Sequence, residues 1–153
     1  MEVEVIKDKI FEIRGQKVML DFDLALLYGT ETKVLKQSVR RNIARFPEDF
    51  MFELTENEFN SLRSQFVTSN RGGIRYMPFA FTEQGIAMLS SVLNSEKAID
   101  INISIIRAFV TIRQFTMTYS ELKDRILAIE NQFPPHPNPL RRRGNKKRNF
   151  IFL

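Results

Sequence analysis

The sequence contains no cysteine, which excludes a disulfide framework and a thiolate metal site. Its single histidine, His136, lies in a proline-rich stretch, where nothing holds an imidazole in the geometry of a general base. No Gly-x-x-x-x-Gly-Lys phosphate loop occurs, and Gly72-Gly73 is too little to suggest one. The acids are dispersed among lysines and arginines. Glu83, beside Gln84 and Gly85, suits a first helical turn, where a carboxylate offsets the helix dipole. Catalysis, a cofactor, a metal and a small-molecule substrate are therefore not expected. No apolar run approaches the ~20 residues that span a bilayer. The opening MEVEVIKDK lacks the apolar core of a signal peptide, so a cytoplasmic protein without membrane association is expected.

What is present is a core-forming chain. With 43% hydrophobic residues and 14 phenylalanines in 153 residues, one domain plus an appendage is expected. The charge is unevenly spread. Arg141, Arg142, Arg143, Lys146, Lys147 and Arg148 stand in residues 131–153, which hold no acid; removing those six from the formal +5 leaves −1 for residues 1–130. The high pI comes from the tail, so a nucleic-acid partner must be argued from local clustering.

Residues 21–46, DFDLALLYGTETKVLKQSVRRNIARF, supply that cluster. Leu24, Ala25, Leu27 and Tyr28 pattern a short helix ending at Gly29, where a left-handed cap is cheapest without a Cβ. Asp21 or Asp23 starts it, and Thr32 is the expected N-cap of a second helix that Pro47 stops. On a 3.6-residue wheel Leu35, Val39, Ile43 and Phe46 share the inward face of that helix. Lys33, Lys36, Gln37, Arg40 and Ala44 oppose them, with Arg41 and Arg45 on the flank. A helix-turn-helix reader is built this way. An ordinary solvated face is the simpler alternative, but only Glu31 offsets these cations, and merely soluble surfaces mix their signs. Lys33 and Lys36 are expected on phosphates. Gln37 and Arg40, whose forked groups pair with adenine and guanine, are expected on base edges.

Around this unit, IFEIRGQKVML (residues 10–20) alternates as a β-hairpin about Arg14-Gly15-Gln16. DFMFEL (49–54) reads as a short strand, and Thr55-x-x-Glu58 as the capping box of a helix from Glu56 to about Gln65. A polar turn with Gly72-Gly73 leads to a β-like run over residues 74–81, which Pro78 places at a sheet edge or interrupts. Arg63, Arg71 and Arg75 surround that turn. They form either a wing on the phosphate backbone or a plain exposed turn. Thr82 caps a further helix, EQGIAMLSSVL, and Asn94 or Ser95 separates it from the next.

From there to Gln132 the chain has neither glycine nor proline. Ala98, Ile101, Ile105, Ala108, Ile112, Phe115, Tyr119, Leu122, Ile126, Ile129 and Phe133 recur at coiled-coil spacing. Residues 98–112 are expected to pack on the domain, and the later stretch to pair with another chain as a homodimer. Pro134, Pro135, Pro137 and Pro139 then introduce a cationic tail without an apolar period, read as a disordered arm.

The strings RGQKVML, DLALLYG, RRNIARFPEDFMFEL, FTEQG and AMLSSVL, in this order over about residues 6–115, resemble the phage ORF-six N-terminal domain family. That family is related to the KilA-N and Bro-N DNA-binding domains. The resemblance implies a prophage-type protein that binds double-stranded DNA, a transcriptional regulator or antirepressor, with an α+β domain and a variable C-terminal region. Ala25, Gly29 and Leu35 fit the general helix-turn-helix spacing, but the next inward residue is Val39 rather than Ser38, so a non-standard turn is expected. The fold expected is α+β: an N-terminal β-hairpin and helix-turn-helix-like unit with a small β element, then a long C-terminal helix. Residues 1–115 form the DNA-binding domain, 116–133 a coiled-coil dimerisation helix and 134–153 the basic tail. The alternative is a protein–protein module whose cationic face meets a repressor or another acidic partner. An RNA partner fits less well, because the aromatics lie in apolar patterns rather than on a stacking platform.

Overall fold

The computed structural model describes residues 3–65 and 76–132. Its elements are α1 (Val3–Lys7), β1 (Ile10–Ile13), β2 (Gln16–Leu20), α2 (Asp21–Tyr28), α3 (Thr32–Arg41), a 3-10 turn (Ile43–Arg45), β3 (Met51–Glu53), α4 (Glu56–Arg63), β4 (Phe79–Phe81), α5 (Glu83–Leu93) and α6 (Glu96–Gln132). The fold is α+β, as the sequence leads one to expect. The chain divides into two compact units, Met1–Ile112 and Arg113–Leu153. The expected basic arm, residues 134–153, lies outside the described residues.

An antiparallel sheet in the order β1-β2-β4-β3 forms the middle of the first unit. Successive side chains on a strand point to opposite faces. Met19, Met51, Phe79 and Phe81 thus enter one core with Leu24, Leu35, Ile86, Leu89 and Ile105 from α2, α3, α5 and α6. Val18, Leu20, Phe52 and Ala80 enter a second core with Phe59 and Leu62 of α4. A slip of one residue would exchange the two sets, so this alternation sets the register.

Of the two readings of Pro78, the interruption is the one found: β4 begins only at Phe79, and it is an interior strand, not an edge. Pro78 stands just before it, where its missing N–H costs no ladder bond, and its carbonyl accepts the Leu54 N–H at 3.0 Å. The strand expected over residues 49–54 shrinks to Met51–Glu53, because the Phe50 and Met51 N–H groups turn back onto the Pro47 carbonyl at 2.8 and 3.0 Å. The sequence reading also missed α1, a single short turn that buries Ile6 completely.

The β1–β2 hairpin turns on Arg14 and Gly15, with φ of 55° and 73°. Two left-handed residues match the twist of the flanking strands. Arg14 is costly there, and its side chain is tied down. Its Nε and Nη2 donate to Glu58 Oε2 and Oε1 at 2.8 and 3.0 Å, and its guanidinium lies 4.2 Å from the centre of the Phe52 ring. Glu58 is also the second half of the expected capping box. It accepts the Thr55 N–H at 2.8 Å, while its own N–H donates to Thr55 Oγ1 at 3.1 Å.

The hydrogen bonds from Arg14, then that from Thr55, pull the Glu58 carboxyl from its ordinary 4.5 to about 2. A carboxyl depressed in the folded state contributes stability above its unfolded value and loses it as pH falls through the folded value. The wild-type melting temperature is therefore expected to fall between about pH 4.5 and 2 through this group. Arg14→Ala should flatten that dependence and shift the Glu58 carboxyl resonance to titrate nearer 4.5. Following that resonance by NMR provides the check.

α5 and α6 complete the first core. Asn94, left-handed at φ 48°, ends α5 as expected, and Ser95 Oγ accepts the Ala98 N–H at 3.1 Å to start α6. Asn102 of α6 accepts the Tyr28 hydroxyl and donates to Ile86 O at 3.1 Å and Ser90 Oγ at 2.7 Å. This buried group ties α6 to α2 and α5, and burial pushes the Tyr28 hydroxyl above its ordinary range. Ala98, Ile101, Ile105, Ala108 and Phe109 are buried along the same stretch.

Candidate nucleic-acid interface

The α2–α3 unit is closed by Gly29, at φ 75°, whose left-handed backbone lets the Thr30 N–H return to the Ala25 carbonyl at 2.9 Å. α3 begins one residue earlier than expected. Glu31 holds the N-cap position without a side-chain cap bond, and Thr32 is already helical. Leu35 and Val39 are fully buried, so the inward residue is Val39 rather than Ser38, as the spacing indicates.

Ile43 departs from its expected inward place and is 55% exposed. The α-helix ends at Arg41 with Asn42 at its C-terminus, and Asn42 Nδ2 donates to the Ser38 carbonyl at 2.8 Å. The following 3-10 turn has three residues per turn, which rotates Ile43 outward and brings Phe46 into the core instead. The helix thus stops well before Pro47.

Lys36 requires the largest correction. It is 7% exposed, and its side chain runs into the protein. Nζ donates to the Met77 carbonyl at 2.8 Å, lies 3.5 Å from Asp21 Oδ2 and stands 4.7 Å from the Phe79 ring centre. The same Asp21 oxygen accepts the Phe79 N–H at 2.8 Å. Burial raises the Asp21 carboxyl above its ordinary value; the Phe79 N–H and the Lys36 ammonium oppose that rise. Lys36 and Val39 are i,i+3 neighbours and share a face of the helix. A long apolar stem can follow Val39 inward while its ammonium meets a buried carboxylate. Lys36 therefore pins α3 to α2 and β4 and has no access to a phosphate.

The outward face holds Lys33, Gln37, Arg40, Arg41, Ala44 and Arg45, all exposed. No acid lies within α3. The Arg40 guanidinium stands 5.4 Å from the Phe79 ring centre, and Arg45 Nη1 donates to Ser91 Oγ of α5 at 3.1 Å. Arg63 is not gathered with them. It lies on α4, which packs in the second core, with its guanidinium 5.9 Å from the Phe59 ring centre. Arg71, Arg75 and the Gly72-Gly73 turn, expected as either a wing or a plain exposed turn, lie outside the described residues. Sequence reasoning missed Asp21 and Ser91, which position the cationic helix. An aspartate at a helix start reads first as dipole compensation, and only its burial shows otherwise.

A model of the ORF6N domain matches residues 8–92, more than half of the chain. The chain belongs to the ORF6N domain family. Among curated proteins and among solved structures, nothing matches it. The ORF6N domain is phage-associated, and the matched span runs from before β1 to the end of α5. Several strings of the chain within that span have structural duties here. RGQKVML makes the hairpin turn and β2, DLALLYG makes α2 and its left-handed cap, and FTEQG joins the end of β4 to the Thr82 cap of α5. Among the described residues of this ORF6N protein, no group of three or more His, Cys, Asp or Glu is placed to hold a metal ion. No helix among them is long and apolar enough to cross a membrane.

Proposed function

We propose that the protein is a double-stranded DNA-binding module of prophage type, a transcriptional regulator or antirepressor that acts in the cytoplasm as a binder rather than an enzyme. The observation that carries this reading is the exposed, acid-free face of α3, on which Lys33, Gln37, Arg40 and Arg41 stand together over a buried base of Leu35, Lys36 and Val39. A cationic helix held rigidly on a core fits the major groove. Membership of a phage-associated family supports it. Lys33 and Arg41 hold phosphates. Gln37 and Arg40 meet base edges, and the Phe79 ring beside Arg40 limits the guanidinium's freedom before it binds.

Selection from random duplex DNA at physiological salt is expected to enrich one motif. Against that motif, Lys33→Ala should weaken binding evenly across sequences and lower the salt slope by about 1. Arg40→Ala should cost about 1–3 kcal/mol on the preferred site and relax its specificity. Affinities for preferred and scrambled duplexes at several salt concentrations separate the two effects. Failure to enrich any motif would turn the cationic face toward an acidic protein partner.

A further inference from the structure

Beyond Ile112 the coiled-coil spacing of α6 continues, but its apolar side chains are uncovered. Phe115 is 74% exposed, Tyr119 64%, Leu122 55%, Ile126 48% and Ile129 58%. Single exposed apolar residues are ordinary. A continuous stripe of them along one helix face marks an interaction surface. The spacing is that of a heptad: Tyr119 and Ile126 fall at a, and Phe115, Leu122 and Ile129 at d. A heptad stripe is complementary to itself, because each a or d side chain fits a hole made by the same positions of a partner.

We propose that residues 115–129 of α6 form a parallel, two-stranded coiled coil with the same residues of a second copy of this chain. The flanking charges decide the direction. Arg125 stands at g and Glu130 at the following e, and parallel in-register helices bring g against the next e of the partner. Each chain then contributes one Arg125 to a Glu130 of the other. The antiparallel arrangement that overlaps the whole stripe sets Leu122 against the partner's Ile126. It also brings Arg125 against Arg125 and Lys123 against Lys123, so like charges meet on both flanks. The layers Leu122 at d and Ile126 at a carry the combination that favours two strands, and Ile129 at the next d does not add to it. The pairing does not depend on DNA, so it stands or falls separately from the reading of α3.

The test uses the whole chain without DNA. Sedimentation equilibrium at micromolar concentrations should give a dimer. Ile126→Asp, which places a charge on a side chain already exposed in the free chain, should give a monomer with an intact domain, as judged by hydrogen exchange of the β2 amides. Arg125→Glu should raise the dissociation constant about tenfold by turning two attractive flanks repulsive, and adding Glu130→Arg should restore it. Because the chain has no cysteine, Leu122→Cys introduces a single thiol. In a parallel pair the two thiols share a layer and close a disulfide on oxidation; in the antiparallel pair they are too far apart. A wild-type monomer, a trimer or larger assembly, or a dimer that Leu122→Cys does not cross-link would each overturn the proposal.

Discussion

Lys36→Ala is expected to destabilise the fold by about 3–5 kcal/mol, the cost of removing one partner from a buried ion pair. Asp21 is 1% exposed, and without Lys36 its carboxylate keeps the backbone N–H groups of Phe79 and Phe22 but loses the ammonium that faces it. The Met77 carbonyl loses its donor as well. Against a typical stability of about 5–15 kcal/mol this is a large fraction, so urea unfolding should be measured at low temperature.

The effect carries a pH signature. Burial already raises the Asp21 carboxyl above its ordinary 3.8, and loss of the ammonium raises it further. A group whose folded pKa is raised contributes stability below its unfolded value and loses it as pH rises through the folded value. The deficit of Lys36→Ala relative to wild type should therefore be greatest at neutral pH and shrink as pH falls toward 4. Lys36→Met with Asp21→Asn should recover much of the loss, since both charges go and the amide oxygen still accepts the Phe79 N–H. Folded Lys36→Ala should keep the wild-type salt slope for duplex DNA. A lowered slope with unchanged stability would return Lys36 to the surface.

Most of the fold was legible where a local rule had one answer. A glycine after an apolar helix, Thr-x-x-Glu before another and a threonine ahead of EQGIAMLSSVL each name a cap, and all three caps stand where expected. The alternation in residues 10–20 and the spacing from Ala98 to Phe109 likewise state which residues are inside. Lys36 was illegible because periodicity gives only an angle, while residue type suggests solvent. The side chain is at the boundary of the face, and its direction was decided by Asp21, remote in the chain and itself buried. Ile43 was misplaced because a wheel assumes a constant pitch, which the 3-10 turn breaks. Pro78 interrupts the run, as one of its two readings had it, and the edge reading fails because a proline excludes only the position that needs its N–H, not the strand that begins after it. Of the candidate interface, the wheel placed Lys33, Gln37, Arg40 and Arg41 on the outer face, and the burial pattern of α3 agrees.

Gly85→Ala is expected to destabilise the protein by about 3–5 kcal/mol, in the range reserved for core clashes. Two effects of opposite sign compete at this position. Gly85 lies inside the first turn of α5, where alanine is intrinsically better than glycine by about 1 kcal/mol. A Cβ there, however, would lie 1.9 Å from the Phe50 carbonyl oxygen and 2.8 Å from its carbon. The obstacle is backbone, so no rotamer change relieves it. The Phe50 carbonyl is held by the Thr82 N–H at 3.0 Å, and Thr82 Oγ1 lies 3.2 Å away. On the other side, α5 is anchored by Ile86 and Leu89, both fully buried. Separation of the two backbones would pull the Thr82 cap from the Gly85 N–H and open the core between α5 and the sheet. Overpacking alone costs about 1–3 kcal/mol where side chains can adjust, and here they cannot. The clash should win, and the sign of the change in urea midpoint decides it. A stabilised Gly85→Ala variant would mean that propensity dominates and that α5 does not approach Phe50 this closely.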